Sequence, residues 1–297
     1  MAIKHILVPS DFSQTAKSAL TCALSIAKTS GAKITLLHIV TVYNDDPYRD
    51  DQPFPSLEEY YEQMEQKADG LFKKEISTLG ADKVSIERVV RRGFSSYEEI
   101  LTYAAENDID LIAIGTHGRK PVARFFLGSV AENIVHRAHC PVLTVRIEDD
   151  EAALPDFKRI LVAIDFYEQS EQALQLALSI LPQGGILDLL HVVEDVIPPT
   201  YFAAEGETIF DIMPQVKIKT KDSLQKVADK LVPENVQRNL IIREGKVAAT
   251  IIDVAKERKS DIIVMGTHSM NALAQILIGS QANKVIRKAH CPVLTTK

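Results

Sequence analysis

The residues with the clearest chemical promise are Gly115-Thr-His-Gly118, then nine residues, then Gly128-Ser129. Glycine permits φ > 0 and lets main-chain N–H groups come close to an anion. A helix opening at Ser129 would aim unpaired N–H groups and a partial positive charge at that anion. The chemistry this spacing suits is the holding of a polyphosphate by backbone amides. A plain strand–turn–helix connection with flexible glycines is the alternative. No GxxxxGK[ST] string occurs, and neither an arginine finger nor a positioned base can be named. No catalytic residue is therefore assigned. Slow hydrolysis of a bound nucleotide is the most that is left open.

The same string occurs twice. Gly115 to Thr144 aligns without gaps on Gly266 to Thr295, with 14 of the 30 positions identical. Both copies place Gly-Ser thirteen residues after the first glycine, and both end in Ala-His-Cys-Pro-Val-Leu-Thr. Ile6 to Phe12 is echoed by Ile160 to Phe166, and Leu37-His38-Ile39-Val40 by Leu190-His191-Val192-Val193. A period of about 150 residues is the size of a domain, so the chain is a duplication and not a solenoid.

The chain has 297 residues, 46% hydrophobic and 25% charged, enough for two ordinary cores. No apolar run reaches the roughly 18 residues that suggest a bilayer span. No secretory signal is visible at the N-terminus. Cys22, Cys140 and Cys291 form no CxxC pair, so the cytoplasm is the expected address. They are expected to be packed thiols. A net charge of −6 argues against nucleic acid as a partner. No metal site is expected, because the recurring histidines have no second ligand at i+3 or i+4.

The elements that must position the glycine string follow from periodicity. Ile3 to Val8 reads as a buried strand. Ser13 can cap a helix to about Ser30, where Gly31 fits the C′ position. Lys33 to Ile39 is the second strand, and the proline-containing stretch from Val42 to Ser56 a loop. Leu57 to Leu79 is a long amphipathic helix, Val84 to Val90 a strand, and Gly93 a turn. Ser95 to Glu98 has capping-box spacing and opens a helix through Ala105. Asp110 to Ile114 is a buried strand, Gly128 to about Arg137 a helix, and Pro141 to Arg146 the last strand. The βαβαβαβαβ order means a parallel sheet with helices on both faces. Ligands in such sheets sit beyond the strands' C-terminal ends at a switch point. Asp11, Ile39 and Gly115 all fall there. Taken alone, Asp11 also fits a plainer role in starting a turn. Glu148 to Pro155 reads as a linker, giving domains over 1–148 and 156–297.

Val8-Pro9-Ser10-Asp11-Phe12-Ser13, Leu37-His38-Ile39, the glycines at 115, 118 and 128, and Pro141-Val142-Leu143 resemble the universal stress protein family in its tandem form. The resemblance implies an α/β fold: two tandem doubly wound, parallel, five-stranded domains of the adenine nucleotide alpha hydrolase-like kind, paired as an intrachain pseudo-dimer. The glycine pattern resembles the family's ATP-binding branch. It implies adenine near Asp11 and the Ile39 backbone, ribose near Gly115, and phosphates along Gly118, Gly128, Ser129 and Val130. Pro9, Ser10, Ile114, His117 and Arg119 complete the expected site, with ATP, with or without Mg2+, as cofactor. An adenine nucleotide, an unidentified protein and a second copy of the tandem chain are the partners compatible with this reading; no nucleic acid or membrane is expected.

The second copy keeps Asp165, Val192, Gly266, His268, Gly279 and Ser280 but has Ser269 where the first has Gly118. It lacks counterparts of Arg119, Lys120 and Arg124 over Met270 to Ile278, and has Ala163-Ile164 for Pro9-Ser10. Each change weakens anion binding, so the second site is expected to be degenerate. The expected function is that of a cytoplasmic, ATP-binding, stress-response regulator. The alternative is a module that binds a protein or an apolar ligand without nucleotide. An adenylating or sulfur-transfer enzyme is disfavoured because the turn after the first strand lacks a glycine.

Overall fold

The computed structural model describes residues 2–41, 57–79, 84–116, 127–146, 155–194, 210, 213–267 and 279–296. The chain divides into two compact units, Ile3–Leu154 and Pro155–Lys297.

The first unit runs β1 (His5–Pro9), α1 (Gln14–Ser30), β2 (Lys33–Thr41), α2 (Leu57–Thr78), β3 (Ile86–Gly93), α3 (Ser96–Glu106), β4 (Leu111–Gly115), α4 (Ser129–Arg137) and β5 (Val142–Val145). Its strands are ordered β3-β2-β1-β4-β5, with every pair parallel. The order reverses between β1 and β4, which opens a crevice beyond their C-terminal ends. All of β1 and most of β4 are buried, as expected for strands covered on both faces. β3 lies at the edge and is half-exposed throughout much of its length.

The second unit repeats the plan with β6 (Arg159–Ala163), α5 (Glu168–Ile180), β7 (Ile186–Val193), α6 (Pro214–Leu231), β8 (Gln237–Glu244), α7 (Val247–Arg258), β9 (Ile262–Gly266), α8 (Ser280–Lys288) and β10 (Val293–Thr296). Its order is β8-β7-β6-β9-β10, again with parallel pairs.

Local signals act largely as their chemistry dictates. The Ser13 side chain accepts from the Ala16 amide at 3.2 Å, capping α1. Gly31 closes that helix in the left-handed region at φ 76°. Three expectations need correction. Ser95 precedes α3, but its side chain makes no capping bond. Gly93 ends β3 and is not a turn; a Cβ there would collide with the Glu99 side chain. Neither Gly115 nor Gly128 needs φ > 0, since Gly128 sits at φ −63° and Gly115 also lies outside the left-handed region. Gly115 is required by packing instead. A Cβ there would lie 2.8 Å from the Thr15 carbonyl carbon, in the first turn of α1.

Candidate functional site

The turn after β1 is tied down bond by bond. The Ser10 amide donates to the Leu37 carbonyl at 2.8 Å. Ser10 Oγ accepts from the Phe12 amide at 3.1 Å, and Asp11 Oδ1 accepts from the Ser13 amide at 3.0 Å. Asp11 thus both shapes the turn and lines the cleft beside it. Phe12 takes φ 62°, a conformation costly for a bulky side chain. The ring is held there by stacking, with centroids 4.7 Å from His38 and 5.0 Å from Phe72. His38 Nδ1 in turn donates to the Ser10 carbonyl at 2.7 Å, which fixes its tautomer.

The second unit contains the same clamp. Phe166 has φ 66° and stacks 4.4 Å from His191, whose Nδ1 donates to the Ile164 carbonyl at 2.7 Å. Burial lowers the His191 pKa, although the carbonyl bond and Asp165 pull it upward. The repeated phenylalanine and histidine therefore have a structural reason to recur. Repetition was the signal that marked them in the sequence; the left-handed backbone was not readable there.

The glycine string has pinned ends. The Thr116 amide donates to the Val145 carbonyl at 2.9 Å, and the Gly128 amide to the Thr116 carbonyl at 2.8 Å. Gly128 is the N-cap of α4. Glu132 makes the first i→i−4 bond, to Gly128 at 2.8 Å. The N–H groups of Ser129, Val130 and Ala131 therefore have no acceptor within the helix.

These segments meet in a cleft of about 590 Å3, within the ordinary range for small-molecule sites. Pro9, Ser10, Asp11, Ile39, Ile114, Gly115, Gly128, Ser129 and Val130, all expected from the sequence, line it together. His117, Gly118 and Arg119 lie outside the described residues, as do Lys120 and Arg124. The wall supplied by α2 was not foreseen: Tyr60, Met64, Lys67 and Leu71 face the cleft, with Ile100 of α3. Lys67 brings a positive charge and makes no ion pair among the described residues. The spacing of these α2 residues marks one helical face, but only packing decides which face meets the cleft.

The second unit retains part of this frame. Asp165 Oδ1 accepts from the Tyr167 amide at 3.1 Å. Gly266 ends β9, Gly279 caps α8, and Ser280 opens that helix. The Gly279 amide donates to the Thr267 carbonyl at 2.6 Å. Val192 lies in β7. His268 and Ser269 are outside the described residues, as is Met270 to Ile278. The hydroxyl part of the first turn's polar grip is missing, however. Ile164 has no hydroxyl to hold the following turn, and Tyr167 provides no side-chain cap for α5. Phe166 and Tyr167 are 36% and 41% exposed, and Tyr167 stands where the first turn has Ser13.

Parallel α/β units, the first with a crevice at the ends of β1, β2 and β4, define the doubly wound α/β class. The universal stress protein family model matches residues 2–146 and again 156–297, so the chain belongs to that family, in tandem form. A universal stress protein of Methanocaldococcus jannaschii is 34% identical over 143 residues, covering 48% of this chain and 82% of that one. One from Mycobacterium bovis is 27% identical over 198 residues, covering 64% of this chain and 63% of its relative. Among solved structures, a universal stress protein from Archaeoglobus fulgidus superposes with a TM-score of 0.66 at 22% identity, covering 99% of this chain and 96% of that one. That likeness speaks for the fold. Among the described residues no helix is long and apolar enough to cross a membrane, and no His/Cys/Asp/Glu group is arranged to hold a metal ion.

Proposed function

We propose that the first unit binds ATP and that occupancy of this site sets a regulatory state in a stress response. The observation that carries the reading is the convergence of Asp11, the end of β2 and the unpaired amides opening α4 on one cleft. The base lies toward Asp11 and the Ile39 backbone, and the phosphates run along the glycine string onto the start of α4. Lys67 adds positive charge that a triphosphate needs on a chain of net charge −6. Binding biases a regulatory equilibrium only by the difference in affinity for two states. The cytoplasmic address belongs to the same proposal.

The second unit holds nucleotide weakly or not at all. Ile164, Tyr167 and Ser269 each remove a polar or conformational feature that the first unit has. The helix N-terminus left behind attracts an anion by only about 0.3–1 kcal/mol. Heat or acid denaturation of the purified chain, followed by chromatography of what is released, tests the nucleotide. Titration with Mg-ATP then tests the asymmetry. One nucleotide per chain, lost in Asp11→Ala, is expected. Two equal sites would overturn the asymmetry. No release, no heat of binding and no thermal shift would favour the nucleotide-independent module.

A further inference from the structure

Each sheet ends in an outer strand, β3 in the first unit and β8 in the second. An outer strand offers main-chain N–H and C=O groups to any chain that lies alongside it, and proteins usually protect such edges. The first unit guards β3 with ion pairs from both flanking helices. Arg88 bonds Asp69 at 2.8 Å, and Arg92 bonds Glu58 and Glu65 at 2.9 and 2.8 Å. Arg91 pairs with Glu106, and the guanidinium of Arg92 lies over Tyr61. The arginines of β3 are thus matched by the acidic face of α2 and by α3.

At β8 Arg238 is likewise matched by Asp229 of α6 at 2.6 Å, but two further lysines stand beside the strand. A groove of about 450 Å3 runs along Asn239 to Arg243, with Lys217 and Lys221 of α6 on one side and Glu257 and Arg258 of α7 on the other. Lys217 sits 5.4 Å from the Phe210 ring centroid, and neither lysine has a carboxylate partner among the described residues. Arg243 and Glu257 neutralise each other at 3.1 Å. Arg258 and Arg159 share the single buried carboxylate of Asp188, at 3.1 Å each, which leaves that trio one positive charge in excess. The groove therefore combines an outer strand with lysine charge that no carboxylate among the described residues compensates.

We propose that this groove docks an extended acidic segment of a partner protein, which adds as a strand to the outer edge of β8. Backbone bonds to β8 supply the docking geometry, and the two lysines read the charge. The spacing fits. Four residues of helix separate Lys217 and Lys221 by about 6 Å along the axis. Two residues of strand advance about 6.6 Å. An acid at every second position of the incoming strand therefore meets one lysine after the other. A nucleic acid strand presents no matching N–H and C=O row to the edge.

The test uses the full chain and a fluorescein-labelled octapeptide of alternating glutamate and valine, read by anisotropy, with a lysine–valine peptide and an oligothymidylate as competitors. Saturable, salt-sensitive binding is expected, weakened about tenfold or more in the double variant Lys217→Glu/Lys221→Glu. Lys217→Gln/Lys221→Gln, a milder change on the same exposed helix face, is expected to lose less. Amide hydrogen exchange within Gln237–Glu244 slows when peptide is added. Absence of saturable binding, equal binding by the Glu variant, or unchanged exchange at β8 would overturn the proposal. So would tighter binding of the oligothymidylate, or a concentration-dependent dimer in sedimentation that the Glu variant abolishes. ATP affinity is expected to be the same in both variants, so the outcome is independent of the nucleotide site.

Discussion

The two units share a plan but solve the same local problems with different chemistry. Beneath the sheet, His5 and Thr35 meet in the first unit, with His5 Nε2 2.8 Å from Thr35 Oγ1. The corresponding strand positions in the second hold Arg159 and Asp188, joined by Arg258 and Asn239. Burial alone would push the Asp188 carboxyl up, but bonds from Arg258, Asn239 and Arg159 outweigh it and hold it below the usual carboxylate range. Burial likewise lowers the His5 pKa, which keeps its imidazole neutral beside Lys33. At the other end of the strands the side chains differ again: the first unit has Ser10, Ser13 and Lys67, the second Ile164 and an exposed Tyr167. Duplication preserved the backbone frame and left the side chains free to diverge in opposite directions at the two ends.

The largest expected effect breaks this comparison at its buried charge. Asp188→Ala leaves two arginines facing each other and is expected to cost about 3–5 kcal/mol, against about 1–2 kcal/mol for Thr35→Ala. Urea unfolding of both variants measures the difference. The Asp188 contribution is complete above an ordinary aspartate pKa of about 3.9 and is lost as pH falls through the depressed folded value. The gap between wild type and Asp188→Asn should therefore close in acid.

Next in size is the glycine pair. Gly115→Ala forces a Cβ to within 2.8 Å of backbone in α1, whereas Gly266→Ala meets the Gln169 Cβ at 3.0 Å. Expected costs are about 2–3 and about 1 kcal/mol. Equal losses would mean that the two helices approach their sheets alike.

The clamp gives a smaller contrast. Phe12→Ala should cost about 2 kcal/mol, since lost packing against His38 and Phe72 outweighs relief of backbone strain. Phe166→Ala should cost about 1 kcal/mol or less because that ring is 36% exposed. Thermal melts of the two variants would sharpen or erase the distinction.

The smallest effect concerns Glu75 of α2, whose carboxyl is raised by burial, with Asp11 adding to the rise and Lys17 opposing it. A raised folded pKa means that ionising Glu75 opposes folding. Glu75→Gln should therefore stabilise by a few tenths to about 1 kcal/mol at neutral pH. The gain should vanish below the ordinary glutamate value of about 4.3, as followed by chemical denaturation across pH.

Much of the frame was legible without coordinates. Apolar runs, Ser13 and Gly31 located β1, α1 and β2, because burial periodicity and caps are properties of neighbouring residues. The convergence of Asp11, Ile39 and Gly115 followed from the parallel order, which places strand ends together whatever the side chains. The Ser95 capping box failed because spacing does not compel a side chain to turn toward its helix. For Gly115 the sequence could not supply the packing reason: a Cβ there would meet Thr15, a hundred residues away in the chain.

Residue type and order thus determined the duplication, the α/β plan and the location of a crevice, since these depend on local propensity and on the handedness of βαβ crossovers. Tertiary structure alone decided which face of α2 enters the cleft, why Phe12 and Phe166 occupy left-handed backbone, and why Asp188 is buried with a charge. It also set Lys217 and Lys221 beside the outer strand β8. These depend on contacts between residues distant in the chain, whose energies no local pattern encodes.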